Sequence, residues 1–183
     1  MKYQSNPKDL IIDAAKSNKE IGSSTLVITS LDPSLHKIHA AMIGDSGYMI
    51  VRSIDNNAIL VFKSEEQQHS FNFPFQIGSQ GDNPNKALSK SHDIEVNDII
   101  ILGTDGLFDN LYSEDILNII NKNKNTCMET LSKKIAQEAN TKAHSKTFDS
   151  PFAVSARKQG YRYSGGKVDD ITVIASRIIE KQH

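Results

Sequence analysis

Cysteine is nearly absent from this chain, and the one present, Cys127, excludes an intramolecular disulfide and gives no sign of an oxidising compartment. In a helix-like stretch it reads as an unpaired thiol. Excess charge of either sign is also missing. The 21 basic and 22 acidic residues leave a formal charge of -1, so no net electrostatic case exists for nucleic acid or an anionic membrane. No run reaches the roughly eighteen apolar residues of a membrane span, and a soluble chain is expected. The opening stretch, Met1 to Pro7, has neither the apolar core of a secretion signal nor the repeated arginines of a mitochondrial presequence. A signal upstream of Met1 stays possible, and localisation stays open. There is no internal repeat. With 183 residues, 38% of them hydrophobic, the chain is long enough for one sizeable core and falls within the range of a single domain.

Several catalytic patterns are missing as well. The six histidines, His36, His39, His69, His92, His144 and His183, never stand at metal-ligand spacing, and none is assigned a metal. Ser46 lies in no nucleophile elbow, which argues against a serine hydrolase. Gly165-Gly166-Lys167 lacks the spacing of a phosphate-binding P-loop and reads as a turn.

What is present is a series of short elements. Lys8 to Ser17 places Leu10, Ile11, Ala14 and Ala15 on one stripe of an amphipathic helix. Thr25–Ser30 and Lys37–Ile43 form a hairpin turned by Asp32-Pro33-Ser34. Tyr48–Ser53 and Ala58–Phe62 form a second, turned by Asp55-Asn56-Asn57, residue types that tolerate a left-handed backbone. Gly78 to Asn85 has the composition of a surface loop within one domain. Ile99–Leu102 suits a buried strand. Ser113-Glu114-Asp115 caps an apolar helix reaching Ile120, and Thr126–Lys142 continues with helical spacing through Leu131, Ile135 and Ala139. Strands first, then two helices before a last strand, fit an α+β sandwich better than a regular βαβ alternation.

Three aspartate-bearing turns abut these strands. Gly103-Thr104-Asp105-Gly106-Leu107-Phe108-Asp109-Asn110 follows Ile99–Leu102, Gly44-Asp45-Ser46-Gly47 lies between two strands, and Gly165-Gly166-Lys167-Val168-Asp169-Asp170 runs into Ile171-Thr172-Val173-Ile174. An Asp-Gly after a strand is by itself most often only a turn. Three together are what a sheet-based site for a hard divalent cation requires, because Mg²⁺ and Mn²⁺ prefer carboxylate, carbonyl and water oxygens.

The order Gly22-Ser23-Ser24-Thr25, Ile43-Gly44-Asp45-Ser46-Gly47, Gly103 to Asn110, then Asp169-Asp170-Ile171-Thr172-Val173 resembles the metal-dependent protein phosphatases of the PPM, or type 2C, class. Ser64-Glu65-Glu66-Gln67-Gln68-His69, Phe71 to Gln76 and Ser150-Pro151-Phe152-Ala153 are similar to a compact mitochondrial subfamily, and the likeness runs from about Asn6 to Ile179. It implies an α/β/β/α sandwich of mostly antiparallel sheets, and hydrolysis of phosphoserine or phosphothreonine on proteins by a water activated between two Mg²⁺ or Mn²⁺ ions. It implies that Asp105 and Asp169 ligate one catalytic metal, and that Asp45 and Asp109, with Asp105, match the region where some members bind a third. Asp170 only shapes the turn. A phosphoprotein substrate, no nucleic acid, no membrane and a monomer are expected.

The resemblance also exposes a gap: nothing before Gly22 matches the family's early acidic residue or its Asp-Gly-(His/Val)-Gly-Gly motif. The chain is therefore expected to be the C-terminal part of a catalytic domain, N-terminally incomplete, and a weak or inactive phosphatase alone. The competing reading is a catalytically inactive regulatory or binding protein of the same fold.

Overall fold

The computed structural model describes residues 6–180; residues 1–5, read above for a targeting signal, and His183 lie outside them. In chain order the elements are helix α1 (Pro7–Ser17), strands β1 (Ser23–Ser24), β2 (Leu26–Asp32), β3 (Lys37–Ile43), β4 (Gly47–Ile54), β5 (Asn57–Lys63), β6 (Gln68–Ser70), β7 (Phe73–Pro74) and β8 (Ile77–Gly78), and a 3₁₀ turn (Pro84–Lys86). Strands β9 (Leu88–Asp93) and β10 (Ile99–Gly103), helices α2 (Asp105–Phe108), α3 (Ser113–Lys122), α4 (Met128–Ala143) and α5 (Pro151–Lys158), and strand β11 (Val173–Arg177) follow. All pairings between these strands are antiparallel, and the chain is an α+β protein. Contacts divide it into two units: one of residues up to Ser46 plus Glu65–Glu95, the other of Gly47–Ser64 plus Val96 onward.

The first unit is built on the sheet β2-β3-β9. Its hairpin turn is set by Asp32, whose carboxylate accepts from the Ser34 amide at 2.9 Å, the Ser34 hydroxyl at 2.6 Å and the Leu35 amide at 3.1 Å. This is side-chain mimicry of a backbone turn. Helix α1, begun by the Asn6 side chain accepting from the Lys8 amide and by Pro7 in its first turn, packs on this sheet. Ile11 joins Ala41, Ile43 and Ala87 in the core. The buried edge of α1 runs through Pro7 and Ile11, while Leu10 and Ala14 face solvent. The stripe is thus rotated from the sequence expectation, because the helix starts one residue earlier, at Pro7, and buries a 7-11-15 ridge.

Strand β9 was not expected from Leu88-Ser89-Lys90-Ser91-His92-Asp93, which lacks apolar alternation. It forms because β3 offers a free edge from Lys37 to Met42, and an edge strand exposed on one side needs backbone pairing more than apolar side chains. The polar stretch before it is shorter and more ordered than a plain loop, with β8 pairing to β1.

The second unit holds the sheet β11-β10-β4-β5. Asp55 and Asn56 both take positive φ, at 48° and 66°, and Ile54 pairs directly with Asn57. The turn is therefore a two-residue primed type, matching strand twist. Helices α3 and α4 cover one face of this sheet: Ile116, Ile120, Leu131, Ile135 and Ala139 pack with Met49, Val51, Ile99, Ile101 and Leu107. Helix α3 starts after Tyr112, with the Asp115 carboxylate accepting from the Tyr112 amide at 3.0 Å, so Ser113 is its first residue rather than its cap. Between β10 and β11 there are four helices, not two. The additional α2 is one short turn, and α5 is opened by Ser150, whose hydroxyl accepts from the Ala153 amide, and by Pro151.

Candidate metal centre

The site forms in the second unit, where β10 ends and β11 begins. Buried Ile99, Ile100 and Ile101 anchor β10 in the core, so the backbone leaving the sheet at Thr104 points in a fixed direction. Helix α2 starts at Asp105, and Asp109 follows four residues later, which places both carboxylates on one side of a helical turn. The Asp105 carboxylate is oriented through Oδ1, which accepts from the Gly106 amide at 2.9 Å.

Asp169, distant in sequence, is delivered by a three-bond clamp on Thr104. The Thr104 amide donates to the Thr172 carbonyl at 3.2 Å, its hydroxyl donates to the Asp170 carbonyl at 3.0 Å, and the Thr172 amide donates to that hydroxyl at 3.1 Å. Gly106 makes the approach possible, since a Cβ there would lie 2.5 Å from the Asp170 carbonyl oxygen. Asp170 contributes that carbonyl, in keeping with a turn-shaping part, and its side chain is exposed.

The third component is Lys167. Its backbone is locked to α2 by Asn110, a fully buried residue that accepts from the Lys167 amide at 2.9 Å and donates to the Lys167 carbonyl at 2.8 Å and to the Gly106 carbonyl at 3.0 Å. The preceding glycines admit no side chain, because a Cβ on Gly166 would meet the Lys142 carbonyl oxygen at 2.1 Å. The Ser150 hydroxyl, besides capping α5, donates to the Gly165 carbonyl at 2.7 Å. Thus the Ser150-Pro151-Phe152-Ala153 segment braces the lysine turn from behind.

The Lys167 ammonium stands 2.7 Å from Asp105 Oδ2, 2.7 Å from Asp109 Oδ2 and 3.3 Å from Asp169 Oδ2. It also lies 5.0 Å from the Phe152 ring centre. Burial pulls the lysine pKa down, but the hydrogen bonds to Asp105 and Asp109 outweigh it and raise the ammonium above its ordinary range. Asp105 and Asp169, far apart in sequence, thus turn their Oδ2 atoms to the same ammonium.

Asp105, Asp109 and Asp169 therefore come together, and Lys167, Thr104 and Asn110 complete the arrangement without having been singled out in the sequence. Their signals were the Gly-Gly-Lys preceding Val168-Asp169 and the Asn that follows Asp109. Asp45 belongs to the first unit, buried in the turn after β3. Gly44 there takes φ +100°, and a Cβ on it would strike Thr25 and the Phe75 backbone. Next to Asp45, the Ser46 and Thr25 hydroxyls hydrogen-bond at 2.7 Å. In the same unit His69 bonds Asp82 at 3.0 Å and lies tilted against Phe75 with ring centres 4.1 Å apart, a loop-closing part rather than a ligand's.

Among the described residues no group of three or more His, Cys, Asp or Glu side chains is arranged to hold a metal by itself. The three carboxylates that converge do so on an ammonium. Their chemistry, hard oxygens drawn to one cation, fits Mg²⁺ or Mn²⁺, with fewer ligands than either ion takes in full. Among the described residues no helix is long and apolar enough to cross a membrane.

No family model matches the chain. It is 42% identical over 172 residues to a PTC7 homologue protein phosphatase of Danio rerio, covering 87% of this chain and 57% of that one. With a probable protein phosphatase 2C of Arabidopsis thaliana, number 80, it shares 38% identity over 178 residues, covering 94% of this chain and 41% of that one. The chain thus spans about half the length of these relatives. Among solved structures, the photosystem II phosphatase PBCP superposes with a TM-score of 0.86 at 27% identity, covering 94% of this chain and 71% of that one. Sequence likeness across most of its length and a shared antiparallel α+β fold lead to one conclusion: the chain belongs to the PPM, or type 2C, family of protein phosphatases.

Proposed function

We propose that this chain carries part of the active centre of a phosphatase that hydrolyses phosphoserine or phosphothreonine on proteins. Asp105 and Asp169 would hold a catalytic Mg²⁺ or Mn²⁺, with Asp109 beside them where the resemblance places a third, weaker metal. The observation that carries the reading is the convergence of Asp105, Asp109 and Asp169 on one cation, in a chain 42% identical to a protein phosphatase. A metal held there would supply Lewis acidity and a water of lowered pKa, the chemistry that phosphate ester hydrolysis needs at neutral pH. The protein's own contribution is positional. Thr104 and Gly106 hold Asp169 against Asp105, Asn110 fixes the Lys167 backbone, and the rigid end of β10 keeps Asp105 from drifting. Phosphoproteins would be the substrates.

A second reading is a regulatory or binding protein without turnover, favoured by one observation: the carboxylates already have a cation in Lys167. Hydrolysis of a phosphothreonine peptide with Mn²⁺ separates the two. Turnover abolished by Asp105→Asn, in this chain or only in a version extended at its amino terminus, supports the enzyme; a folded extended protein without turnover supports the binding protein.

A further inference from the structure

We infer that Lys167 is a tethered competitor of the divalent cation, a positioning residue whose ammonium holds the same carboxylate oxygens that a metal would take and so sets how tightly the metal binds. The inference rests on the metal-site reading of Asp105 and Asp169. Each of these aspartates uses its Oδ1 locally, Asp105 to accept from the Gly106 amide and Asp169 to accept from the Asp170 amide at 2.9 Å, and each turns its Oδ2 to Lys167. Asp109 also gives its Oδ2. The atoms facing the common point are therefore those the ammonium occupies.

Charge sharpens the argument. One ammonium is shared among three carboxylates, so each of the three keeps part of its pull on a further cation. With the ammonium in place, an entering ion meets a positive neighbour at short range in a half-buried setting, where screening is weak. For the metal to take Oδ2 of Asp105 and of Asp169, the lysine side chain must swing out. Its backbone is held by Asn110 and the braced glycine turn, so displacement is a rotation of the four-carbon stem and not a loop movement. The lysine then has two uses: it keeps the aspartates gathered when no metal is bound, and it discriminates against weakly held monovalent ions.

The test is a calorimetric Mn²⁺ titration of the full chain, wild type against Lys167→Met and Lys167→Arg, with circular dichroism to verify folding. Lys167→Met is expected to tighten Mn²⁺ binding by about tenfold or more, because the opposing charge is gone while most of the stem's bulk stays. Lys167→Arg is expected to leave binding weak. Unchanged or weaker binding in a folded Lys167→Met protein overturns the competition. A wild-type measurement covers the case in which the variant fails to fold: acetylation of the Lys167 amine, followed by mass spectrometry, should be slow without Mn²⁺ and fast once calorimetry shows Mn²⁺ bound. Equal labelling with Mn²⁺ bound overturns the proposal. Asp105→Asn keeps its failure distinct from that of the metal-site reading. If that variant binds Mn²⁺ as wild type does, the metal lies elsewhere and both ideas fall; if it loses binding while Lys167→Met is unchanged, only the competition falls.

Discussion

Strand β10 has a charge cluster at each end, and the two are built on opposite principles. At its start, Asp98 is fully buried and receives a two-pronged contact from Arg52, Nε to Oδ1 at 2.9 Å and Nη2 to Oδ2 at 2.8 Å. One guanidinium meets one carboxylate in matched planar geometry. At its end, one ammonium faces three carboxylates, two near and one at 3.3 Å. In the pair of Arg52 with Asp98 both carboxylate oxygens are engaged by one guanidinium. An unbalanced cluster holds carboxylates together that would otherwise repel, and it stays able to accept more positive charge. Under the proposed metal site, stabilising and ligating charges stand at opposite ends of a single five-residue strand.

The sharpest way to break this contrast is Asp98→Ala. Removing the carboxylate leaves the Arg52 guanidinium largely buried without its matched partner, and urea unfolding should show a loss of about 3 kcal/mol or more. Mn²⁺ binding at the other end should not change. A variant that lost metal affinity without losing stability would mean that the ends are not independent.

Asn110→Ala should follow, at about 2 to 3 kcal/mol by the same measurement, because it strips a buried residue of three hydrogen bonds and leaves the Lys167 amide and carbonyl without their side-chain partner. Unlike Asp98→Ala, it should also alter the Mn²⁺ titration, since the lysine turn loses its anchor. Gly106→Ala should cost about 1 to 3 kcal/mol through the clash with the Asp170 carbonyl, with a larger proportional effect on metal binding than on stability, as Asp169 is pushed from Asp105.

The smallest effect concerns alkaline pH. Burial holds the Tyr48 hydroxyl up at about 12, on the strand paired with β10, whereas the unfolded chain titrates it near 10. A raised folded pKa gives stability that is complete below the unfolded value and is lost as pH climbs toward the folded one. Stability should therefore fall between about pH 10 and 12, and Tyr48→Phe should flatten that slope. Decline remaining in the variant is shared by Lys167 and Tyr112, whose pKa values are raised as well. A slope untouched by Tyr48→Phe would show that the Tyr48 hydroxyl contributes nothing to it.

Much of this was legible in the residues. Leu131, Ile135 and Ala139 fell on the buried face of α4 as their spacing required, and the Asp-Asn turn of β4-β5 follows from residue types that accept positive φ. Strand β9 was illegible because a polar edge strand carries no periodic mark. Asp105 was legible as a carboxylate at a strand's end, whereas Asp109 came only from the family resemblance, because the one-turn helix α2 that aligns the two is too short to show a period. Lys167 was not legible, because a glycine-flanked lysine is as often solvated as seated.

The sequence by itself determined where the carboxylates would be offered, at strand ends where glycines allow sharp turns, because local backbone chemistry acts over a few residues. Only the tertiary structure decided which cation they face. The Thr104 clamp, the Asn110 bridge and the room left at Gly106 join segments some sixty residues apart. Which charges become neighbours depends on that long-range packing, and no local pattern encodes it.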